Sequence, residues 1–219
     1  DTRLELIRRL ARAMEFREGG LTNRVLRVSG YVELLSQALG LKSKVVEILS
    51  QAAPLYDIGK MGVPEHILTK SDALNDKEWA EMRRHPEIGA GIIGEHKDPL
   101  LEQARVMALT HHERWDGTGY PKKLQGDAIP VPGRIMAVAD AFEAMTSTQR
   151  HRTPIPSMEA AKIIAGAKKF LEENVRRQLF TQMFGDKVPH IRFSFAAEPQ
   201  EERFNRLMQS YQIVAQTPA

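Results

Sequence analysis

The stretch "APLYDIGKMGVPEHIL", residues 53–68, ends a helix and carries the first charged groups that could do chemistry. The helix that leads into it shows an inward stripe of Val46, Leu49 and Ala53. Ser43 stands where it could cap that helix, Pro54 would bend it, and the run continues to Tyr56 and Asp57. Asp57 is a hard oxygen donor, with Lys60 three residues on.

Working outward, nearly every other segment also has helical periodicity. Leu4, Ile7, Ala11 and Met14 form a narrow stripe that fits a packed helix, with a dimer seam as the open alternative. Val25, Val28, Val32, Leu35 and Leu39 form another, closed by Gly40 in a C-cap place. Asn75 and Glu78 predict a capping box, and His85-Pro86 opens a further helix. Leu101, Ala104, Ala108, His111 and Trp115 are expected on one helical face, before a loop rich in Gly and Pro. Ile135, Val138, Phe142 and Met145 mark a buried helix, and helix resumes from Ser157 to about residue 184. "HIRFSF", residues 190–195, alternates as a short strand does, and Phe204, Leu207 and Tyr211 suggest a final amphipathic helix. The fold class is therefore all-α, read as a connecting helix over 1–18, a main domain over 19–184 and an extension over 185–219.

Composition narrows the chemistry. The 219 residues are 42% hydrophobic, enough to build a sizeable core. A formal charge of +3 with no long basic run argues against a nucleic acid polymer as partner. The absence of cysteine removes disulfides, thiolate metal sites and a Cys nucleophile together, so any metal must be held by His, carboxylate or water. No apolar run of about eighteen residues and no leader pattern is visible, so a soluble cytoplasmic chain is expected. Asp1 in place of Met leaves room for an upstream segment.

Five side chains could ligate a metal: Asp57, His85, His111, His112 and Asp140. A lone His at a helix start is more often a cap or a surface residue, and His85 by itself would carry little weight. Adjacent imidazoles entering a core, His111 and His112, need partners. Asp140 lies within the apolar run "RIMAVADAFEAM", where an unpaired carboxylate is costly. Arg134 offers it a plain salt bridge as the alternative.

In series, "DIGKMGVPEHIL", "HPEIGAGII", "LTHHERWDGTGYP" and "IPVPGRIMAVADAFEAMTS" resemble the HD-GYP family, a branch of the HD phosphohydrolase superfamily. The resemblance spans about residues 11–147. It implies an all-helical bundle and cyclic di-GMP as substrate. It also implies that Asp57 bridges two metals, that His85, His111 and His112 hold one of them, and that Asp140 holds the other. Lys60 would steady a substrate phosphate. Gly117, Gly119, Tyr120 and Pro121, preceded by Trp115 and Asp116, would form the signature loop that lines the substrate entrance and contacts diguanylate cyclase (GGDEF) domains. The mixed donors point first to iron or manganese, one or two ions per chain.

The chain also departs from the family pattern. Tyr56 replaces the histidine of the family's name, and a phenol is a poor ligand near neutral pH, although ferric iron could take it as phenolate. Gly20 and Arg24 stand where Glu and His are common, and Arg24 would repel a cation there, so a third metal is not expected. Glu143 replaces an aspartate, and "TSTQRHR" and "KKFLEEN" lack family elements. These changes predict one sound metal place and one damaged. They leave open a slowed phosphodiesterase or a silent relative that binds metal or nucleotide and works through protein contacts.

Overall fold

The computed structural model describes residues 2–19, 22–147 and 153–166, and among them helix is the only regular structure. The nine α-helices are α1 (Thr2–Arg17), α2 (Arg24–Ala38), α3 (Ser43–Ala52), α4 (Glu65–Leu68), α5 (Asp76–Met82), α6 (His85–Ile93), α7 (Pro99–Thr110), α8 (Val131–Thr146) and α9 (Ser157–Gly166). The expected strand at 190–195 and the final helix lie outside the described residues.

Apolar stripes dictate the packing. Val28 and Val32 of α2, Leu49 of α3, Met107 of α7 and Ile135, Met136 and Phe142 of α8 meet in one core. Each large side chain removed from water there contributes roughly 1.5–3 kcal/mol. Tyr31 meets Phe142 edge-on at 5.0 Å, tying α2 to α8. On α1 the predicted stripe turns inward through Ile7, Ala11 and Met14, while Leu6 and Leu10 stay exposed.

Local signals fix several helix ends. Gly40, at φ 71°, closes α2: its N–H donates to the Gln37 carbonyl and that of Leu41 to the Ser36 carbonyl, the Schellman arrangement. The box at α5 is complete, since Asn75 accepts from the Glu78 backbone and Glu78 from the Asn75 backbone. Ser43, by contrast, is the first residue of α3 rather than its cap; Lys42 holds the cap position and no side chain bonds there.

Two sequence expectations fail where the backbone tightens near the site. The helix through Val46 does not run on to Asp57: it stops at Ala52 and tightens into 3₁₀ turns at Ala53–Leu55 and Ile58–Gly62, leaving Asp57 between them. Likewise α7 ends at Thr110, with His111 as its C-cap and Trp115 beyond it, because the chain turns here into the loop.

Two glycines let the second 3₁₀ turn lie directly on α6. A Cβ built on Gly59 would sit 1.9 Å from the His85 carbonyl oxygen and 2.4 Å from the Gly89 nitrogen. This backbone contact brings Asp57 and His85 together. From the other side Arg17, closing α1, donates to the carbonyls of Lys60 (2.7 Å), Met61 (2.9 Å) and Val63 (2.8 Å). Because rigid backbone opposes Gly59, a Gly59→Ala variant is expected to lose about 1–3 kcal/mol of stability, read as a lower denaturation midpoint in urea.

Candidate metal centre

Four predicted ligands converge. Atoms of Asp57, His85, His111 and His112 all lie within 4.8 Å of one another. The α6 N-terminus supplies His85, the end of α7 supplies the His pair, and the gap between the 3₁₀ turns supplies Asp57. Asp57, His85 and His111 are buried and His112 is half-buried.

Hydrogen bonds fix the imidazole tautomers. His85 Nδ1 lies 2.7 Å from the Met82 carbonyl, and His111 Nδ1 lies 2.9 Å and 3.0 Å from those of Met107 and Ala108. A carbonyl only accepts, so each Nδ1 must carry the proton and each Nε2 turns a lone pair inward. The two Nε2 atoms are 3.3 Å apart. Asp57 Oδ1 lies 3.4 Å from one and 3.5 Å from the other, is buried, and has no hydrogen-bond partner. With both imidazoles neutral, three electron-pair donors face one another with no proton between them. A cation resolves that repulsion, and an N,N,O donor set without sulfur suits a divalent metal ion.

The electrostatics keep the donors in ligand form. Burial outweighs the pull of Asp57 and brings His85 down to about 4, and burial together with the neighbouring His111 and His85 holds His112 well below its ordinary value. Burial pushes the Asp57 carboxyl up, but Lys60, His111, Arg24 and His85 more than offset this and hold it well below the carboxylate range.

The other expected residues are distributed around this cluster. Lys60 Nζ is engaged by Asp57 Oδ2 at 2.6 Å and Glu18 Oε1 at 2.7 Å. Asp140 is not in the four-residue cluster: its Oδ1 accepts from Arg24 Nη2 at 2.7 Å and from the Tyr56 hydroxyl at 2.8 Å. The anticipated alternative partner, Arg134, instead meets Asp127 at 3.2 Å. Tyr56 is buried, its ring centroid 5.2 Å from that of His111, and burial pushes its hydroxyl well above the usual range. It is a phenol donating to Asp140, not the phenolate a ferric ion would need. Glu143 is paired with Arg27.

The loop after the His pair is built on the cluster itself. Tyr120 stacks on His112 at 4.7 Å and 22°, and its N–H donates to the His112 carbonyl. Gly119 has no room for a side chain, since a Cβ would lie 2.4 Å from the Arg114 nitrogen. Gly117 takes a left-handed φ of 77°, and the Tyr120–Pro121 peptide is cis. Arg83 reaches over the rings of both Trp79 (5.6 Å) and Tyr120 (5.7 Å).

Sequence reasoning passed over Glu113 and Glu18. Buried Glu113 accepts from the backbone N–H groups of Lys122 (2.7 Å) and Leu124 (3.0 Å), cinching the loop. Its signal was in plain sight, an acid directly after two histidines. Glu18, at the end of α1, carried none.

An all-helical domain that gathers three imidazoles and a carboxylate around mutually facing lone pairs is of the metal-binding helical class. The comparisons narrow the class. The HD domain family model matches residues 8–171. The chain is 42% identical over 154 residues to 3'3'-cGAMP-specific phosphodiesterase 2 of Vibrio cholerae, covering 70% of this chain and 30% of that protein. It is 41% identical over 148 residues to the cyclic di-GMP phosphodiesterase response regulator RpfG of Xanthomonas campestris, covering 68% and 39%. Among solved structures it superposes on Bd1817, an HDG"Y"P protein from Bdellovibrio bacteriovorus, with a TM-score of 0.55 at 23% identity, over 71% of this chain and 50% of that one. The chain belongs to the HD domain family. It spans well under half the length of these two curated relatives.

The lowered His85 value has a measurable sign. Between pH about 6.5 and about 4 the unfolded chain binds a proton at His85 that the folded, metal-free protein refuses. Stability is therefore complete above that window and falls through it on acidification, by at most about 1.4 kcal/mol per pH unit for this group. The melting temperature of the metal-free protein is expected to follow this course, and His85→Gln to flatten it.

Proposed function

We propose that the domain is a metal-dependent phosphodiesterase of cyclic dinucleotide signalling, with cyclic di-GMP as substrate. The observation that carries the reading is the convergence of His85 Nε2, His111 Nε2 and Asp57 Oδ1, a donor set that a shared metal ion would reconcile. The phosphodiesterase names of the relatives, at about 40% identity, support it. Imidazole and carboxylate donors favour iron or manganese.

A divalent ion held there would polarise a phosphoryl oxygen and lower the pKa of water. The chain's own residues supply the rest. Asp57 and the two imidazoles orient the ligand atoms, and His112 closes the cluster beneath Tyr120. Lys60, fixed between Asp57 and Glu18, adds positive charge on the side where a phosphate would approach. Tyr120 and Arg83 form a flat cationic rim suited to a purine base. Gly117, Gly119 and Pro121 shape that rim, to which a diguanylate cyclase domain would dock. No described helix is long and apolar enough to cross a membrane.

A second reading, a silent module that binds metal or nucleotide, draws on one observation: Asp140 is already taken by Arg24 and Tyr56. Linearisation of cyclic di-GMP and 3'3'-cGAMP by protein purified without chelator separates the two. Product that disappears with chelator and returns with manganese is expected, as is a loss of at least ~100-fold in Asp57→Asn through weakened metal-assisted chemistry. Bound metal without product would select the silent module, and undiminished turnover in chelator would overturn both.

A further inference from the structure

The two oxygens of Asp57 face different partners. Oδ1 looks at the imidazoles, whereas Oδ2 is held by Lys60 Nζ at 2.6 Å and lies 3.6 Å from Arg24 Nη2. The same Arg24 nitrogen donates to Asp140 Oδ1 at 2.7 Å. Tyr56 donates to that oxygen as well, at 2.8 Å, and Glu18 Oε2 lies 3.8 Å from Arg24 Nη1. By the resemblance to the HD-GYP family, Asp57 and Asp140 are the oxygen donors for a second ion beside the first, and paired ions in hydrolases sit about 3.5–4 Å apart. A guanidinium reaches both of them instead.

We infer that Arg24 takes the place of a second metal ion, so that the chain binds one divalent ion, at Asp57 Oδ1 and the imidazoles, beside a fixed organic cation. The inference rests on the reading that the histidine cluster holds a metal.

The chemistry is consistent on each count. A guanidinium does not lose its proton in proteins, so its charge is permanent where a metal's is exchangeable. A guanidinium has no lone pair for an incoming ion, and Tyr56 meets Asp140 as a protonated phenol, a poor ligand for a divalent cation. A second dication would also stand within a few ångströms of two resident positive charges, Arg24 and Lys60. Among these side chains the formal charges of Asp57, Asp140 and Glu18 exceed those of Arg24 and Lys60 by one, and a single dication already more than compensates. Charge developing on a phosphoryl oxygen would then be met by one metal and two side-chain cations.

The test is metal stoichiometry with a spectroscopic readout, independent of turnover. Full-length chain is loaded with Mn(II), passed through gel filtration, and examined by elemental analysis and electron paramagnetic resonance. One manganese per chain with an uncoupled six-line spectrum is expected. The double variant Arg24→His, Tyr56→His, which removes the cation and adds imidazoles, is expected to carry two and to show exchange coupling. Arg24→Gln, which removes the charge but keeps a donor to Asp140, is the milder companion and is expected to take up a second ion as Mn(II) is raised to millimolar. Two coupled ions in the wild type would overturn the inference and leave the metal-dependent reading intact. No ion in the wild type would overturn both. A folded double variant or Arg24→Gln that stays at one ion would overturn the role given to Arg24.

Discussion

The site depends on an unresolved repulsion. Two imidazoles and a carboxylate oxygen, each with its proton elsewhere or absent, are pressed to within 3.5 Å of one another inside the fold. Left alone, such an arrangement costs free energy, because buried acceptors without donors forfeit the hydrogen bonds that water gave them. The scaffold tolerates it because the restraints come from rigid places: carbonyls at helix ends fix both Nδ1 protons, and the Gly59–Gly89 approach sets the carboxylate against α6. Those restraints hold the donor atoms in the arrangement a ligand set needs.

Around that centre the charges are graded. One flank consists of imidazoles, and burial holds those of His85 and His112 below their ordinary values. The opposite flank is an ionic lattice of Glu18, Lys60, Arg24 and Asp140, joined through Asp57. Asp57 belongs to both, one oxygen to each. Tyr56 and Arg24 sit together on the ionic flank, where the phenol and the guanidinium satisfy the same carboxylate oxygen of Asp140.

The all-helical class was legible because apolar stripes at helical spacing run through most of the chain, and the capping box at Asn75 and the glycine at position 40 punctuate it. The four clustered side chains were legible as residue types in an ordered series of motifs. What escaped was set by tertiary contact. The need of Asp140 for a partner could be read from its apolar neighbours, but the partner was Arg24, 116 positions away, rather than Arg134 one helical stretch before. The helix ends at Thr110 and Ala52 escaped because periodicity continues past them, and only the demands of the loop and the 3₁₀ turns stop the helices there. Arg17 and Glu113 act on backbone groups, which leave no mark in a pattern of side chains.

Glu113 separates what must stay fixed from what is free to change. Its carboxylate grips the backbone at two points beyond Tyr120, and Gly119 wedges the near end against residues 112–114. Both anchors end on main chain, and between them the Asp116 carboxylate accepts from the Thr118 N–H and hydroxyl, turning the loop outward through Gly117. The tyrosine thus keeps its seat on the imidazole through contacts made largely by main chain, which hold whatever side chains the loop turns outward.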